Sequence, residues 1–502
     1  MAETRFALLH RPTAQFGLML LVGLITRASV FGDLSYFSDE LFYFLAGQRM
    51  HDGMLPYVDV WDRKGPALFL TYYLIAGVSA SVWAYQIAAW AFASTTAFVI
   101  ARIALRFTGV QGALAAGGVY LFSLALFGGA GGQSPVFYNL WTALAALMVL
   151  RGRWREMLAA MALAGLAIAY KQSAAPEALF LGLAAVWRLR QEGATGAQLA
   201  RRGLLLALAG ALPFALFAAF YAAAGHFDAF WQAMVTSNLR KAYNPVGDHW
   251  VRIGALAKLS SPLLLGAIAG LVLAERRTPR AFISCWIAAA LLGFVLVPNF
   301  YEHYLLPVLV PLSVASAALF NRGAVGLGAA AAAALVFAAN SPMFAFAKRA
   351  EARAAMEGIA ADIRARNPRP RLFVYEGPVW LYAMLHSYPP SPLLNNFHLY
   401  FPPEEGVSQF DAAAEVQRNL AWRPDVIVTY NNWEPWEENA RTAPLVRGYV
   451  AKTCRHWFTR DYHENYRSYR IDVWGDCNAP ARAPGVTPSA ASPAPAARPD
   501  GN

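Results

Sequence analysis

The sequence predicts an all-α polytopic membrane bundle with about 11 transmembrane helices, interfacial helices in its outer loops and a small C-terminal α/β periplasmic domain. Of the 502 residues, 57% are hydrophobic and only 15% are charged, whereas soluble domains carry about 25% charged residues. Apolar runs long enough to cross a hydrocarbon core of about 30 Å recur through the first 340 residues. Arginine clusters fall in alternate loops between these runs, as the positive-inside rule requires.

The apolar runs define the predicted crossings. They cover residues 14–31, 83–106, 110–128, 134–150, 157–172, 174–188, 203–224, 256–274, 281–297, 304–320 and 323–340. With a cytoplasmic N-terminus, the basic loops face the cytoplasm and the chain beyond residue 340 lies in the periplasm. The Ala- and Arg-rich composition suits a high-GC bacterium, so we expect a multi-pass protein of a bacterial inner membrane.

Residues 66–80 form an apolar run that we do not assign as a crossing. The run is about 15 residues long, which is short for a span. If it crossed, Arg102 and Arg106 would lie outside and the alternation of basic loops would break. We therefore predict an interfacial or re-entrant helix, and residues 32–82 become one long first periplasmic loop within a transmembrane domain of residues 1–340.

Residues 341–477 are polar and predict a periplasmic α/β domain. Its predicted elements are strands at Arg371–Glu376, Asp425–Tyr430 and 466–474, and an amphipathic helix at 410–421. Cys454 and Cys477 could form a disulfide in such a compartment. The tail, 478–502, consists mainly of Ala, Pro, Ser and Gly, cannot bury a core and is expected to be disordered.

The first periplasmic loop contains a dense group of charges beside an apolar run. Its stretch Ser38–Pro66 reads SDELFYFLAGQRMHDGMLPYVDVWDRKGP. Asp39 and Glu40 follow Ser38, a candidate N-cap, and acids in a first turn stabilise the positive helix end. That local role would by itself account for both acids. A carboxylate held here at the rim of a cavity would also suit a general base, which needs a fixed position and a tunable pKa.

This stretch resembles the first outer loop of the membrane glycosyltransferases of the C superfamily, which include protein O-mannosyltransferases and the aminoarabinose transferase of lipid A. The shared residues are Asp39, Glu40, Tyr43, Gly53, Pro56, Tyr57, Asp59, Lys64 and Pro66. The family commonly has Lys-Pro-Pro where this chain has Lys64-Gly65-Pro66. The resemblance is strong over residues 35–106 and architectural over the other helices.

The resemblance implies a transferase whose donor is a sugar on a polyprenyl phosphate. A carboxylate deprotonates an acceptor hydroxyl, which attacks the anomeric carbon in a single, inverting displacement. Asp39 is then the catalytic base and Glu40 its supporting acid. The acceptor would be a glycan, glycolipid or protein of the cell envelope. Further residues expected to contact substrate or shape the loop are Tyr43, Tyr57, Asp59, Lys64 and Glu302.

Cations on the outer side are candidates for binding the donor phosphate, whose developing charge must be neutralised. Lys171 lies between two apolar runs, where a lysine is costly unless it pairs or faces a cavity. It could instead snorkel to the headgroups or pair with Glu177. Further candidates are Arg240, Lys241 and His303. Arg240 and Lys241 could equally form a solvated surface, and His303 could belong to an interfacial aromatic belt.

We expect no tightly bound metal and no nucleic acid partner. A hard cation needs several carboxylate or carbonyl oxygens, and the second outer loop, GGAGGQSPVFYNLW, has no acid to complement Asp39 and Glu40. Asp62 is expected to pair with Arg63 or Lys64. The net charge of +11 lies largely in short arginine loops, and no Walker-type loop or dinucleotide fingerprint occurs.

A flippase or transporter of lipid-linked glycans, without covalent chemistry, is the alternative function. Transporters usually contain inverted repeats and charges near the membrane midplane. This sequence shows no such repeat, and its charges gather in outer loops. Within the enzyme class, transfer of a whole oligosaccharide is a third option, which would require a wide basic groove.

Overall fold

The computed structural model describes residues 10–241, 246–431, 438–464 and 467–478. Most of the tail predicted to be disordered therefore lies outside the described residues. Asn478, its first residue, donates from Nδ2 to the carbonyls of Arg423 (2.6 Å) and Pro424 (2.9 Å). The folded domain thus extends to Asn478.

The membrane part is helical from α1 to α15. Its helices are α1 (Pro12–Arg27), α2 (Ser38–His51), α3 (Pro66–Val78), α4 (Val82–Ala104), α5 (Val110–Leu126), α6 (Ser134–Arg151), α7 (Trp154–Tyr170), α8 (Ala175–Gln191), α9 (Gly196–Ala223), α10 (Phe227–Trp231), α11 (Ser237–Arg240), α12 (Val246–Leu273), α13 (Arg280–Val295), α14 (Leu309–Phe320) and α15 (Gly323–Ala339). Each predicted apolar run coincides with one of these helices.

Three described helices are long and apolar enough to cross a membrane, namely α4, α9 and residues 248–273 of α12. The outward face of α9 exposes leucines at i, i+4 spacing, such as Leu204 (61%), Leu208 (57%) and Leu216 (62%). Such a face suits lipid rather than water, and the chain is a multi-pass membrane protein. Shorter apolar helices include α3, α5 and α13–α15, so the count of 11 crossings stays a prediction.

The first long loop, residues 32–82, which was predicted to be periplasmic, contains two packed helices. Helix α3 has 13 residues, a rise of about 20 Å that is short of a hydrocarbon core. It packs so closely on α2 that a Cβ on Gly47 would lie 2.6 Å from the Tyr72 backbone. Most of the α2 residues from Glu40 to Gly47 are fully buried, so α2 is fixed within the bundle.

The C-terminal domain is an α/β layer structure. Its elements are α16 (Phe346–Arg366), β1 (Leu372–Val374), α17 (Leu381–Leu385), α18 (Phe397–Tyr400), α19 (Ala412–Ala421), β2 (Val426–Tyr430), α20 (Ala443–Thr453), β3 (Arg455–Glu464) and β4 (Arg467–Gly475). The sheet order is β1-β2-β4-β3, with β1 and β2 parallel and the other pairs antiparallel. Strand β3 is an element that the sequence analysis missed.

Alternate residues of the sheet enter two different hydrophobic clusters, as the period of two in a strand requires. Leu372 and Val426 join the cluster that includes Met356 of α16. Phe373 and Ile427 join the cluster on the opposite face, with α19 and α20. Helices therefore cover both faces of the sheet. The disulfide between Cys454 and Cys477 is formed and ties the end of α20 to the end of β4.

The C-terminal domain packs directly on the first long loop. The backbone N–H of Trp61 donates to the Pro392 carbonyl at 2.9 Å. The rings of Phe44 and Trp380 stack with centroids 5.7 Å apart. A cavity remains between the domain and the outer end of the bundle, and this cavity contains the candidate site.

Candidate active site

The cavity has a volume of about 300 Å³ and two walls of different origin. The membrane-side wall is formed by Phe37, Ser38, Asp39, Asp62, Arg63, Lys64, Lys241, Asn299, Tyr301, Glu302, His303 and Tyr304. The domain-side wall is formed by residues of the C-terminal domain, among them Asn395, Asn396, His398, Glu404, Tyr430 and Tyr469. Five of the residues singled out in the sequence, Asp39, Lys64, Lys241, Glu302 and His303, therefore meet at one cavity.

Asp39 stands in the first turn of α2 with its carboxylate toward the cavity. Its side chain is 33% exposed, and Oδ2 lies 3.7 Å from Lys64 Nζ. The Tyr43 hydroxyl donates to the same oxygen at 3.1 Å. Burial acts to raise the pKa of Asp39, but the Lys64 charge and the Tyr43 hydrogen bond help to bring that pKa below its ordinary value. Asp39 is therefore a carboxylate at neutral pH.

The prediction that Ser38 is the N-cap of this helix is wrong. The N-cap position belongs to Phe37, and Ser38 is the first helical residue. The Ser38 N–H donates instead to Glu464 Oε1 at 2.9 Å. A carboxylate from β3 thus satisfies a free amide at the helix start, and a tertiary contact replaces the local cap.

Glu40 points away from the cavity. Its side chain is fully buried, and a Cβ on Gly131 would lie 2.0 Å from its Oε2. Burial and the Asp39 charge raise the pKa of Glu40 to about 8, although the Gly132 amide acts in the opposite sense. The two adjacent acids consequently differ in state, with Asp39 ionised at the cavity and Glu40 protonated at neutral pH against the second outer loop.

Two of the residues expected to contact substrate or shape the loop have the second role, because they stabilise the turn before Lys64. Tyr57 is buried with φ of +71°, and its hydroxyl donates to the Lys64 carbonyl at 2.8 Å. Asp59 is exposed, and its Oδ2 accepts from the Leu55 N–H at 2.8 Å. Neither side chain lines the cavity. Their contacts stabilise the turn that presents Lys64.

Gly65 explains the departure from the family's Lys-Pro-Pro. Its N–H donates to the Tyr170 carbonyl at 3.1 Å, a bond that proline cannot make. A Cβ at this position would lie 1.9 Å from the Ala169 carbonyl oxygen, so the two backbones touch. This contact places Lys64 and Lys171 next to each other, although the chain separates them widely.

Lys171 follows the last residue of α7 and stacks over the Tyr304 ring, with Nζ 4.0 Å from the centroid. The alternative partner, Glu177, accepts from Trp286 Nε1 at 2.8 Å, and no ion pair joins it to Lys171 among the described residues. Glu302 and His303 occupy a short 3₁₀ helix that lines the cavity. Lys171 thus lies beside the membrane-side wall.

Arg240 and Lys241 are neighbours in sequence but not in environment. Lys241 lines the cavity with its Nζ 4.0 Å from Glu404 Oε1, whereas Arg240 is exposed and is not a lining residue. Burial and the Arg63 charge lower the pKa of Lys241 to about 8. The structure therefore brings Lys241 to the site and leaves Arg240 outside it.

The sequence analysis missed an ionic cluster at the boundary between the walls. Arg63 donates to both Glu404 oxygens, at 2.6 and 2.9 Å. Asp62 accepts from Asn395 Nδ2 at 3.1 Å and lies 3.9 Å from Lys64 Nζ. The pairing of Asp62 with Lys64 was expected. The partners from the C-terminal domain carry no local motif, so only the fold reveals them.

The walls together offer the ionised carboxylate of Asp39, several cations, uncharged hydrogen-bonding groups and further acids, of which Asp62 and Glu404 are already paired. Such a set can accept a proton from a hydroxyl and neutralise an anionic leaving group in one water-poor space. Within the described residues, no group of three or more His, Cys, Asp and Glu suited to a metal is found. Metal independence stays a prediction.

No family model and no curated protein matches the chain. Its structure is similar to that of ArnT from Cupriavidus metallidurans. The apo form has a TM-score of 0.61 at 14% identity, covering 95% of this chain and 98% of ArnT. The form bound to undecaprenyl phosphate has a TM-score of 0.59 at 14% identity, covering 91% and 97%.

The oligosaccharyltransferase of Archaeoglobus fulgidus is a more distant neighbour, with a TM-score of 0.46 at 12% identity, covering 83% of this chain and 69% of that chain. The likeness to ArnT over nearly the full length of both chains shows that this protein shares the fold of ArnT. The predicted class of fold, a helical membrane bundle followed by a small mixed sheet, is confirmed.

Proposed function

We propose that the protein transfers a sugar from a polyprenyl-phosphate donor to a hydroxyl of a cell-envelope glycan, glycolipid or protein, on the periplasmic face of a bacterial inner membrane. Asp39 takes the proton of the acceptor hydroxyl. The hydroxyl oxygen forms a bond to the anomeric carbon, the bond from that carbon to the phosphate oxygen breaks, and the configuration inverts. The polyprenyl phosphate leaves with the bonding electrons.

The observation that carries the proposal is the ionised carboxylate of Asp39 in a cavity, 3.7 Å from the Lys64 ammonium. An ion pair of this kind couples donor binding to base strength. When a donor phosphate engages Lys64, Asp39 loses part of the positive charge that lowers its pKa. Its basicity then rises at the moment when both substrates are present.

Cations of the membrane-side wall bind the donor phosphate in this scheme. Lys64 and Lys241 line the cavity, and Lys171 lies beside it over Tyr304. They stand where a lipid phosphate at the bilayer surface would arrive, and they stabilise the charge that develops on the leaving group. The ArnT structure bound to undecaprenyl phosphate supports the choice of a polyprenyl phosphate.

Two further site residues receive supporting roles. Glu40, protonated and packed on Gly131, holds the second outer loop against α2 and thereby fixes Asp39. Tyr43 orients the Asp39 carboxylate through its hydroxyl. Glu302 and His303 line the same wall of the cavity as Lys64 and Lys241. No step is assigned to a metal.

The test uses purified full-length protein in nanodiscs with radiolabelled undecaprenyl-phosphate sugars and extracted envelope acceptors. Transfer of label to an acceptor that Asp39→Asn abolishes would support the proposal. Transfer that persists in Asp39→Asn would reject Asp39 as the base. Transbilayer movement of a labelled lipid-linked glycan in proteoliposomes, without any transfer, would favour a flippase instead.

A further inference from the structure

A buried histidine lies at the centre of the contact between the two walls. His398, on α18, is only 4% exposed. Its Nε2 lies 3.7 Å from Asp62 Oδ2, and its Nδ1 lies 3.3 Å from Glu404 Oε2. The Trp61 ring packs edge-on against the imidazole with centroids 4.7 Å apart. The reaction described above does not use this histidine.

The positions of both nitrogens indicate a charged ring. A neutral imidazole has one N–H and one lone pair, and an ionised carboxylate only accepts. One nitrogen of a neutral His398 would therefore direct its lone pair at Asp62 or Glu404. The imidazolium avoids this repulsion and forms charge-assisted contacts on both sides. Burial acts to lower the pKa of His398, but the two carboxylates raise it above its ordinary value.

Both carboxylates are held in their ionised form by other partners as well. Arg63 contacts Glu404 from the first periplasmic loop, and Lys241 contacts it at 4.0 Å. Burial acts to raise the pKa of Glu404, yet His398 and Arg63 lower it to about 2. The charged groups facing this cluster thus come from the first periplasmic loop, from the residue after α11 (Lys241) and from the C-terminal domain.

The cluster extends to the catalytic carboxylate through two contacts. Asp62 Oδ1 accepts from the Lys64 N–H at 3.0 Å and lies 3.9 Å from Lys64 Nζ. Lys64 Nζ in turn lies 3.7 Å from Asp39 Oδ2. A displacement of Asp62 would therefore move both the backbone and the side chain of Lys64.

We infer that His398 is a positioning residue, an imidazolium that joins Asp62 to Glu404 and thereby holds Lys64 beside Asp39. Its effect on transfer rests on the proposed function, whereas the ionic clamp exists independently of it. Since the pKa of His398 is raised in the folded protein, the clamp is complete below the ordinary histidine pKa of about 6.5. It is lost as the pH rises through the raised pKa of His398.

Hydrogen–deuterium exchange of the full-length protein in nanodiscs tests the clamp without any substrate. Peptides covering 57–66 and 392–410 are followed over a pH series, with rates corrected for intrinsic exchange. We expect His398→Gln to raise their exchange severalfold and to abolish the pH-dependent loss of protection. His386→Asn, at an exposed histidine with φ of +48°, is the matched control and should behave as wild type.

Measuring the affinity for undecaprenyl phosphate tests whether the clamp affects the candidate site. His398→Gln should weaken this binding severalfold at pH 7, and His398→Lys, which keeps the positive charge, should restore part of the affinity. His398→Lys should also remove the part of the pH dependence that comes from His398, leaving the part that comes from Lys241. Unchanged exchange and unchanged affinity in His398→Gln would overturn the inference. If that variant does not fold, ¹⁵N spectra of histidine-labelled wild type decide, since a neutral His398 at pH 6 would refute the clamp. Absence of binding by wild type would refute the donor assignment alone.

Discussion

The two walls of the cavity differ in charge and in origin. The membrane-side wall contributes the cations of Arg63, Lys64 and Lys241 beside its acids Asp39, Asp62 and Glu302. Among the described lining residues, the domain-side wall contributes no Lys or Arg; it has His398, the acids Glu404 and Glu464, tyrosines and the amides of Asn395 and Asn396. Cations suit a lipid phosphate, whereas rings and amides suit neutral groups that bear hydroxyls. Under the proposed function, the contrast assigns donor and acceptor to different parts of the chain.

Substitution of the proposed base should have the largest effect on transfer, because Asp39 acts where the two walls of the cavity meet. We expect Asp39→Asn to lower the transfer rate by about 10²–10⁴-fold, the contribution of general base catalysis, while undecaprenyl phosphate binding persists. Single-turnover transfer and lipid binding are measured on the same preparations. Asp59→Asn is the control, since Asp59 is exposed and outside the cavity. An Asp59 effect as large as that of Asp39 would contradict the assignment.

Substituting one cation of the membrane-side wall should give the next largest effect. Lys241→Gln should weaken undecaprenyl phosphate binding by about 10–100-fold, the usual strength of a charge-assisted hydrogen bond. Arg240→Gln removes the same charge one residue earlier from an exposed position and should change the affinity less than threefold. Equal losses in both variants would mean that only the overall charge of the loop matters, and the distinction between the walls would fail for the donor.

The pH dependence of undecaprenyl phosphate binding should reflect the charge of Lys241, a cation of the same membrane-side wall. Because the pKa of Lys241 is lowered to about 8, its cation is present below that pH and is lost as the pH rises through it. Affinity for undecaprenyl phosphate should therefore fall by up to about tenfold between pH 7 and 9. Lys241→Arg should move this loss to higher pH. A profile that is identical in Lys241→Arg would assign the titration to another group.

Opening the disulfide should disturb only the domain-side wall and should have the smallest effect on donor binding. Cys454 and Cys477 close a loop with a sequence separation of 23, and such a link is worth about 3 kcal/mol of stability. In Cys454→Ser/Cys477→Ser, we expect faster proteolysis of the C-terminal domain and nearly unchanged binding of undecaprenyl phosphate. A loss of binding as large as that of Lys241→Gln would show that the two walls are energetically inseparable.

The helices and the base region were predictable because their signals are local. An apolar run reveals a membrane helix, and the pattern from Asp39 to Pro66 is continuous in sequence. The same reasoning failed for Ser38, because the partner of its amide is Glu464 on a distant strand. It also left open whether Tyr57 and Asp59 contact substrate or shape the loop, and only the structure showed their contacts within the turn before Lys64.

The sequence by itself determined the class of fold, the position of the acidic pair and the candidate cations, since hydropathy, charge and a short motif are properties of neighbouring residues. Only the tertiary structure decided that Asp39 faces the cavity while Glu40 is buried against Gly131. It alone brought Asn395 to Asp62 across 333 positions of the chain. Contacts of that range arise from the packing of a domain on a loop, and no local pattern encodes them.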